Sequence, residues 1–321
     1  HHAMVDGVSA LRLLGRMLSE DPEERDMPAP WALRSRGMQL GGGGSVRALP
    51  RAVLHGATDL AAVIPAAVRM LDRGFGTAQG AVPLSAPRSV LNVPITGARR
   101  FAAQSWPIER IRRIGKASET TVNDVVLAMC AGALRAYLLG LGALPDEPLI
   151  AMVPVSLHTS DSGSGDDGGN AVGAVLCNLA TDLNDPGDRL RTVHTSMERG
   201  KNSLDGMSQL QILALSAMTM SPIALGFLLR NQGRARPPFN LIISNVPGPR
   251  QPMYWNGARL DGLYPLSVPI DGQALNITCT SYSGELAFGL TGCRRSVPHL
   301  QQLLTHLDDE LLALLRAVGV A

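Results

Sequence analysis

The residues best equipped for chemistry stand at the head of the sequence: His1, His2, Asp6 and Gly7, in the pattern HHxxxDG. A histidine titrates near neutral pH, so an imidazole with a free ring nitrogen can take a proton from a hydroxyl and later hand it on. Moving an acyl group from a thioester to an alcohol needs such a base. It also needs a stabilised oxyanion and a thiolate that can leave. The aspartate can fix the local turn, and Gly7 lets the backbone enter the next element tightly. Alone, the motif is only moderately specific: His-His-Ala-Met also has the form of an affinity-tag scar, and a loose HxxxDG arises by chance. A second polar pair, Asn123-Asp124, reads equally well as a helix start or as part of a site. Ser244-Asn245 precede Pro247-Gly248-Pro249, which Pro and Gly chemistry explains as a turn.

These side chains need elements to hold them. Val8, Leu11, Leu14, Met17 and Leu18 recur at helical spacing, so a helix follows the motif and stops at Asp21-Pro22. A glycine-rich linker containing residues 41–45 comes next, then a second helix over 48–73 and a loop over 74–94. From Arg99 the pattern becomes a strand at 101–106, a helix at 108–117, and a longer helix from a Thr120-Thr121 cap to about Leu141. An apolar run at 149–157 reads as a central strand. A Gly-Asp loop at 163–169, a strand at 172–183 and a helix at 186–203 follow. A strand at 239–245 ends before Pro247. Hairpins turn at Asn256-Gly257 and Ser283-Gly284, and a helix over 297–318 closes the chain. Interleaved strands and helices predict an α/β class with mixed sheets. The expected division is a first lobe over 1–98 and a second over 99–321.

Composition excludes some functions. With 29 basic and 27 acidic residues the net charge is +2, and aromatics make up 4%, so neither a basic nucleic-acid footprint nor a base-stacking platform is present. Cys130, Cys177, Cys279 and Cys293 have no CxxC or metal-ligand spacing and read as buried, reduced thiols in a cytosolic protein. Eighteen uncharged residues at 212–229 could span a membrane by length, but Pro222 divides them. Two helices broken at Ser221-Pro222, with a peripheral membrane contact, is the preferred reading.

The chain resembles the bacterial wax ester synthase/diacylglycerol acyltransferase family along its whole length. The matching blocks are HHAMVDGVSALRLL at 1–14, NVPITGARRFA at 92–102, TVNDVVLAMCAGALRAYL at 121–138 and GNAVGAVLCNLATDL at 169–183, then FNLIISNVPGPR at 239–250 and WNGARLDGLYPLSVPIDGQALNITCTSYSGELAFGL at 255–290. Six blocks in family order make a tag scar untenable. The resemblance implies a two-lobed fold of the chloramphenicol-acetyltransferase and BAHD type, shared with condensation domains, with a tunnel between the lobes. It implies His2 as general base, His1 as a neighbour shaping the pocket, and Asp6 as a structural residue paired with an arginine beside Gly7. Asn123 and Asp124 match a second family motif. Ser244, Asn245, Pro247, Gly248, Tyr264 and Ser267 are the expected substrate-binding residues. Asp271-Gly272 looks like a structural counterpart of the first DG. No metal or bound cofactor is implied, since acyl-CoA arrives as substrate.

The implied acceptor is diacylglycerol or a long-chain alcohol. The implied location is cytoplasmic, peripheral to membranes or lipid bodies. Acylation of another hydroxyl or an amine, and a non-catalytic lipid-binding role, are the alternatives. Family members normally carry a long segment before the motif. The expectation is therefore an incomplete first lobe, with the missing N-terminal segment as a partner and no activity in the chain alone.

Overall fold

The computed structural model describes residues 11, 14–27, 86–156, 172–205, 207, 211–212 and 236–320. Among the described residues there are eight strands: β1 (Arg99–Pro107), β2 (Ile150–Ser156), β3 (Val172–Asn178), β4 (Leu241–Val246), β5 (Tyr254–Trp255), β6 (Ala258–Arg259), β7 (Leu275–Tyr282) and β8 (Glu285–Cys293). Six of them make one mixed sheet in the order β1-β8-β7-β4-β2-β3, and β5 pairs β6 apart from it. The β4 strand runs parallel to both β7 and β2, while the remaining neighbours are antiparallel. Both predicted hairpin turns are present. Asn256 and Gly257 have φ of 49° and 80°, Ser283 and Gly284 of 45° and 86°. Two consecutive left-handed residues are what a two-residue turn matched to strand twist requires.

Among the described residues, besides a helical turn at 14–17, four helices are complete: α1 (Ile108–Ala117), α2 (Val122–Gly140), α3 (Pro186–Asn202) and α4 (Gln302–Ala317). They touch one another and form a layer against one face of the sheet. The α2 helix is its centre, with every residue from 124 to 134 buried. It starts where it does because of a capping box. Thr121 Oγ1 accepts from Asp124 N at 3.2 Å, and Asp124 Oδ2 accepts from Thr121 N at 2.9 Å. This is the helix that is long and apolar enough to cross a membrane among the described residues, yet its apolar surface faces the core. The segment at 212–229 lies outside the described residues except for Ile212, as do the linker, the helix expected over 48–73 and the loop over 163–169.

Three of the differences between the strand and helix limits and the sequence expectation have a local cause. The strand expected to reach 183 stops at Asn178, whose side chain accepts from Ala180 N at 2.7 Å and holds Ala180 at a φ of 49°. The strand expected from 239 begins at Leu241, because Asn240 is spent on a cross-link between segments. The last helix begins at Gln302, since residues 297–301 form turns behind Pro298.

Leu241, Ile243, Leu275, Ile277, Cys279, Leu286, Phe288 and Leu290 fill the core under the helices. Side chains alternate along a strand, so the residues between them face the other way, onto the sheet's open face. At one end of that face Ala86, Ile150, Leu176 and Phe239 make a second, small core. A polar network ties residues 86–98 to the same sheet. Asn92 Nδ2 donates to Phe239 O, Asn240 O and Gly272 O at 2.9–3.2 Å, and Asn240 Nδ2 donates to Asn92 Oδ1 at 2.7 Å and Pro87 O at 2.8 Å. Asp271 accepts from Ile95 N at 2.7 Å. This is the structural duty expected of Asp271.

Candidate active site

His1, His2, Asp6 and Gly7 lie outside the described residues, so only the remaining expected site residues are placed here. The open face carries a polar patch in the middle of the sheet. In register, Ile242, Asn276 and Thr291 form one row, and Ser244, Thr278 and Gly289 the next. An extended segment, residues 264–270, lies over these rows. Its Pro265 carbonyl sits so close to Gly289 that a Cβ there would come within 1.7 Å. Ser267 Oγ donates to Asn276 Oδ1, and Thr278 Oγ1 lies 3.1 Å from both groups. Asn276 is buried, and the Thr291 hydroxyl is buried with no partner among the described residues.

Pinning Ser267 inward turns its neighbours outward. Tyr264, Leu266, Val268 and Ile270 are 52%, 66%, 74% and 45% exposed, a stripe of apolar side chains at every second position. Tyr264 and Ser267 thus come to the same segment but point in opposite directions. Ser244 shares the open face with Ser267. Asn245, next to it, pairs in register with Cys279 and by alternation turns toward the helix layer. Pro247 is exposed, and Gly248 packs against the β7–β8 turn. A Cβ at Gly248 would lie 2.2 Å from Ser281 O, and its N–H donates to Ser281 Oγ at 3.2 Å. Close backbone approach explains that glycine without any ligand.

Asn123 is half-buried on the first turn of α2, and Asp124 is buried. Beyond capping α2, Asp124 Oδ2 accepts from His194 Nδ1 on α3 at 2.8 Å. The other ring nitrogen of His194 lies 3.6 Å from Glu198 Oε2. Asp124 Oδ1 is buried without a hydrogen-bond partner among the described residues. Asp124 therefore belongs to the junction of α2 and α3, and its carboxylate serves the helix cap and an imidazole.

The sequence reading missed Asn276, Thr278 and His194. A signal for the first two exists in the alternation Asn276-Ile277-Thr278-Cys279-Thr280, which marks a strand with one polar face. The pairing of His194 with Asp124 leaves no local trace, because 70 residues separate them.

All four cysteines are buried and free. Burial pushes Cys177 up to about 12 and drives Cys130 and Cys279 up as well. Burial also pushes on Cys293, but hydrogen bonds from Thr96 and Ser296 outweigh it and bring that thiol down to about 6. A protonated, buried thiol is inert, so Cys130, Cys177 and Cys279 are packing residues.

Comparison with known proteins gives the chain's family. The wax ester synthase/diacylglycerol acyltransferase catalytic domain matches residues 1–126, and the C-terminal domain of the same family matches residues 168–315. Proteins named as diacylglycerol O-acyltransferases from Mycobacterium bovis and Mycobacterium tuberculosis are each 50% identical over 322 residues, covering all of this chain and 70% of theirs. A wax ester synthase/diacylglycerol acyltransferase from Marinobacter aquaeolei superposes with a TM-score of 0.74 at 42% identity, over 99% of this chain and 67% of that one. The cyclization–docking bidomain of the EpoB peptide synthetase from Sorangium cellulosum, 14% identical, reaches a TM-score of 0.50 over 80% of this chain and 49% of its own, a likeness of fold alone. The chain belongs to the wax ester synthase/diacylglycerol acyltransferase family and is an acyltransferase with the mixed α/β, two-lobed fold of that family.

Proposed function

We propose that the chain transfers a long-chain acyl group from acyl-CoA to the hydroxyl of a diacylglycerol or a long-chain alcohol, with His2 as the general base. The observation that carries this reading is the catalytic-domain match beginning at residue 1, which takes in the HHxxxDG motif. The relatives' names supply the substrate class. His2 removes the acceptor's proton as its oxygen attacks the thioester carbonyl. The tetrahedral intermediate then collapses, the carbon–sulfur bond breaks, and the imidazolium returns the proton to the departing CoA thiolate. His1 shapes the pocket and Asp6 holds the turn. The apolar stripe of Tyr264, Leu266, Val268 and Ile270 is in keeping with substrates made of hydrocarbon. Ser244 and Ser267, on the polar side of that segment, are the residues this reading offers to the substrates' oxygens, Ser267 by exchanging its bond to Asn276. The location that goes with this reading is cytoplasmic, peripheral to membranes or lipid bodies, where lipid acceptors are held.

The test is thiol release from palmitoyl-CoA by the full-length enzyme, with diacylglycerol, hexadecanol and a long-chain amine as separate acceptors. Acceptor-dependent release with either alcohol, giving triacylglycerol or wax ester, is the expected result. Release with the amine alone rejects the acceptor assignment. No release with any acceptor, together with retained binding to lipid droplets, favours a binding protein.

A further inference from the structure

One row of the sheet's open face mixes polar and apolar groups in a way that packing does not require. In register across β4, β7, β8 and β1 stand Ile242, Asn276, Thr291 and Phe101. The row therefore runs apolar, polar, polar, apolar. Side chains directly opposite on antiparallel neighbours start about 5 Å apart, so Asn276 and Thr291 can both reach one atom held between them. The two are not equally engaged. Asn276 Oδ1 accepts from Ser267 and from Thr278. The amide nitrogen, on the other side of that group, carries two N–H donors. Thr291 is 3% exposed, and its hydroxyl has no partner among the described residues. A buried hydroxyl without a hydrogen bond costs stability, and a valine would fill the same space without that cost. Packing therefore accounts for the shape of Thr291 and not for its oxygen. Next to it Phe101 is half-exposed, and a Cβ at Gly289 would lie 3.3 Å from its ring.

The extended segment over this row is held at its ends and lightly in between. Leu260 N donates to Met253 O at 2.8 Å, and Gly272 N donates to Val93 O at 3.1 Å. From 261 to 269 no backbone hydrogen bond forms among the described residues. Pro265 and Pro269 have no N–H to give. Ser267 ties the segment to the sheet through its side chain, at Asn276 and Thr278. The segment can therefore lift from the row by breaking side-chain bonds alone, which opens Thr291 to a ligand.

We propose that this row is a subsite for an ester group of the acceptor, with Thr291 as a specificity-determining residue. The Thr291 hydroxyl and an Asn276 N–H donate to the carbonyl oxygen, whose two lone pairs accept both. Ile242 and Phe101 take the hydrocarbon on either side. Diacylglycerol brings ester carbonyls, and a simple long-chain alcohol brings none. The proposal rests on the reading of lipid hydroxyls as acceptors, and it makes diacylglycerol the favoured one.

The experiment compares Thr291→Val and Thr291→Ser with the parent in the full-length enzyme. Binding is titrated with dioctanoylglycerol and with dioctylglycerol, the diether that keeps the chains and the hydroxyl and lacks the carbonyls. Thiol release from palmitoyl-CoA is measured with diacylglycerol and with hexadecanol, and the thermal midpoint is recorded. The parent should bind the diester about tenfold more tightly than the diether, the size of one neutral hydrogen bond. Thr291→Val should erase that preference and lower kcat/KM for diacylglycerol about tenfold, with hexadecanol within about twofold and the midpoint unchanged or higher. Thr291→Ser keeps the hydroxyl and should restore both. A diester preference that survives in Thr291→Val overturns the proposal. So does an equal loss with both acceptors, which puts the thioester carbonyl in the row instead. The binding arm needs no turnover, so the two readings fail separately. Diester-selective binding that Thr291→Val abolishes, in a parent that releases no thiol, keeps the subsite and rejects the acceptor reading. A parent that acylates diacylglycerol and binds diester and diether alike does the reverse.

Discussion

Asp124 has a structural role that its surroundings account for, a helix cap and a bond to an imidazole. One carboxylate oxygen is shared by the Thr121 N–H and the His194 ring, and the whole side chain is 1% exposed. Those bonds cap α2 and join it to α3. Asp124→Ala should therefore cost about 1–3 kcal/mol, a lost N-cap plus a lost charge-assisted bond, read by urea denaturation. The kcat of the folded fraction should stay at the parental value. A loss of 100-fold there would return Asp124 to the active site. The Asn123-Asp124 pair was legible as a helix start, since Thr121 three residues before Asp124 is a local capping signal. His194 was not, because the partner that completes the site comes from another helix. Ser244 and Asn245 teach the same lesson differently. Adjacent in sequence, they read as one polar group, and strand alternation sends them to opposite faces.

At the scale of elements, order and type were largely readable, and limits less so. The α1 and α2 helices and the two type I′ hairpins follow from local signals: Thr caps, apolar stripes, Asn-Gly and Ser-Gly. The interval at which elements meet is set by side chains far apart. Between α2, α3 and α4 that side chain is Arg189, whose Nη2 meets Glu310 Oε1 at 2.6 Å with both groups nearly buried. Gly132 on α2 makes room for the pair, since a Cβ there would lie 2.0 Å from the Glu310 carboxyl carbon. Burial raises the Glu310 carboxyl, and Arg189 opposes that rise. Arg189→Met removes the opposition and strands a buried carboxylate. The expected loss is about 3–5 kcal/mol near neutral pH. A carboxyl whose folded pKa is raised favours the fold when protonated, so that loss should shrink as pH falls through the raised value. Denaturation midpoints at neutral and acidic pH check both the size and the sign. A deficit that grows on acidification contradicts the account.

Across the whole molecule, the blocks that carry the family resemblance meet in space for structural reasons. Asn92 from one block, Asn240 from a second and Gly272 from a third join in a single buried network, and Asp271 adds the Ile95 backbone. A buried asparagine that satisfies several backbone groups tolerates few substitutes, because each lost partner leaves an unpaired polar group. Much of the sequence pattern thus specifies how the sheet is bound together, and the proposed chemistry falls to the HHxxxDG motif. No periodicity announces such a network, since its members are about 150 residues apart. The family resemblance supplied the two-lobed fold that periodicity could not. The central claim is that His2 is the base of an acyl transfer. The most direct measurement is thiol release from palmitoyl-CoA by the full-length enzyme and by His2→Ala, each shown to be folded. The account predicts a drop of about 10²–10⁴-fold in the variant. Equal rates would contradict it and require another base.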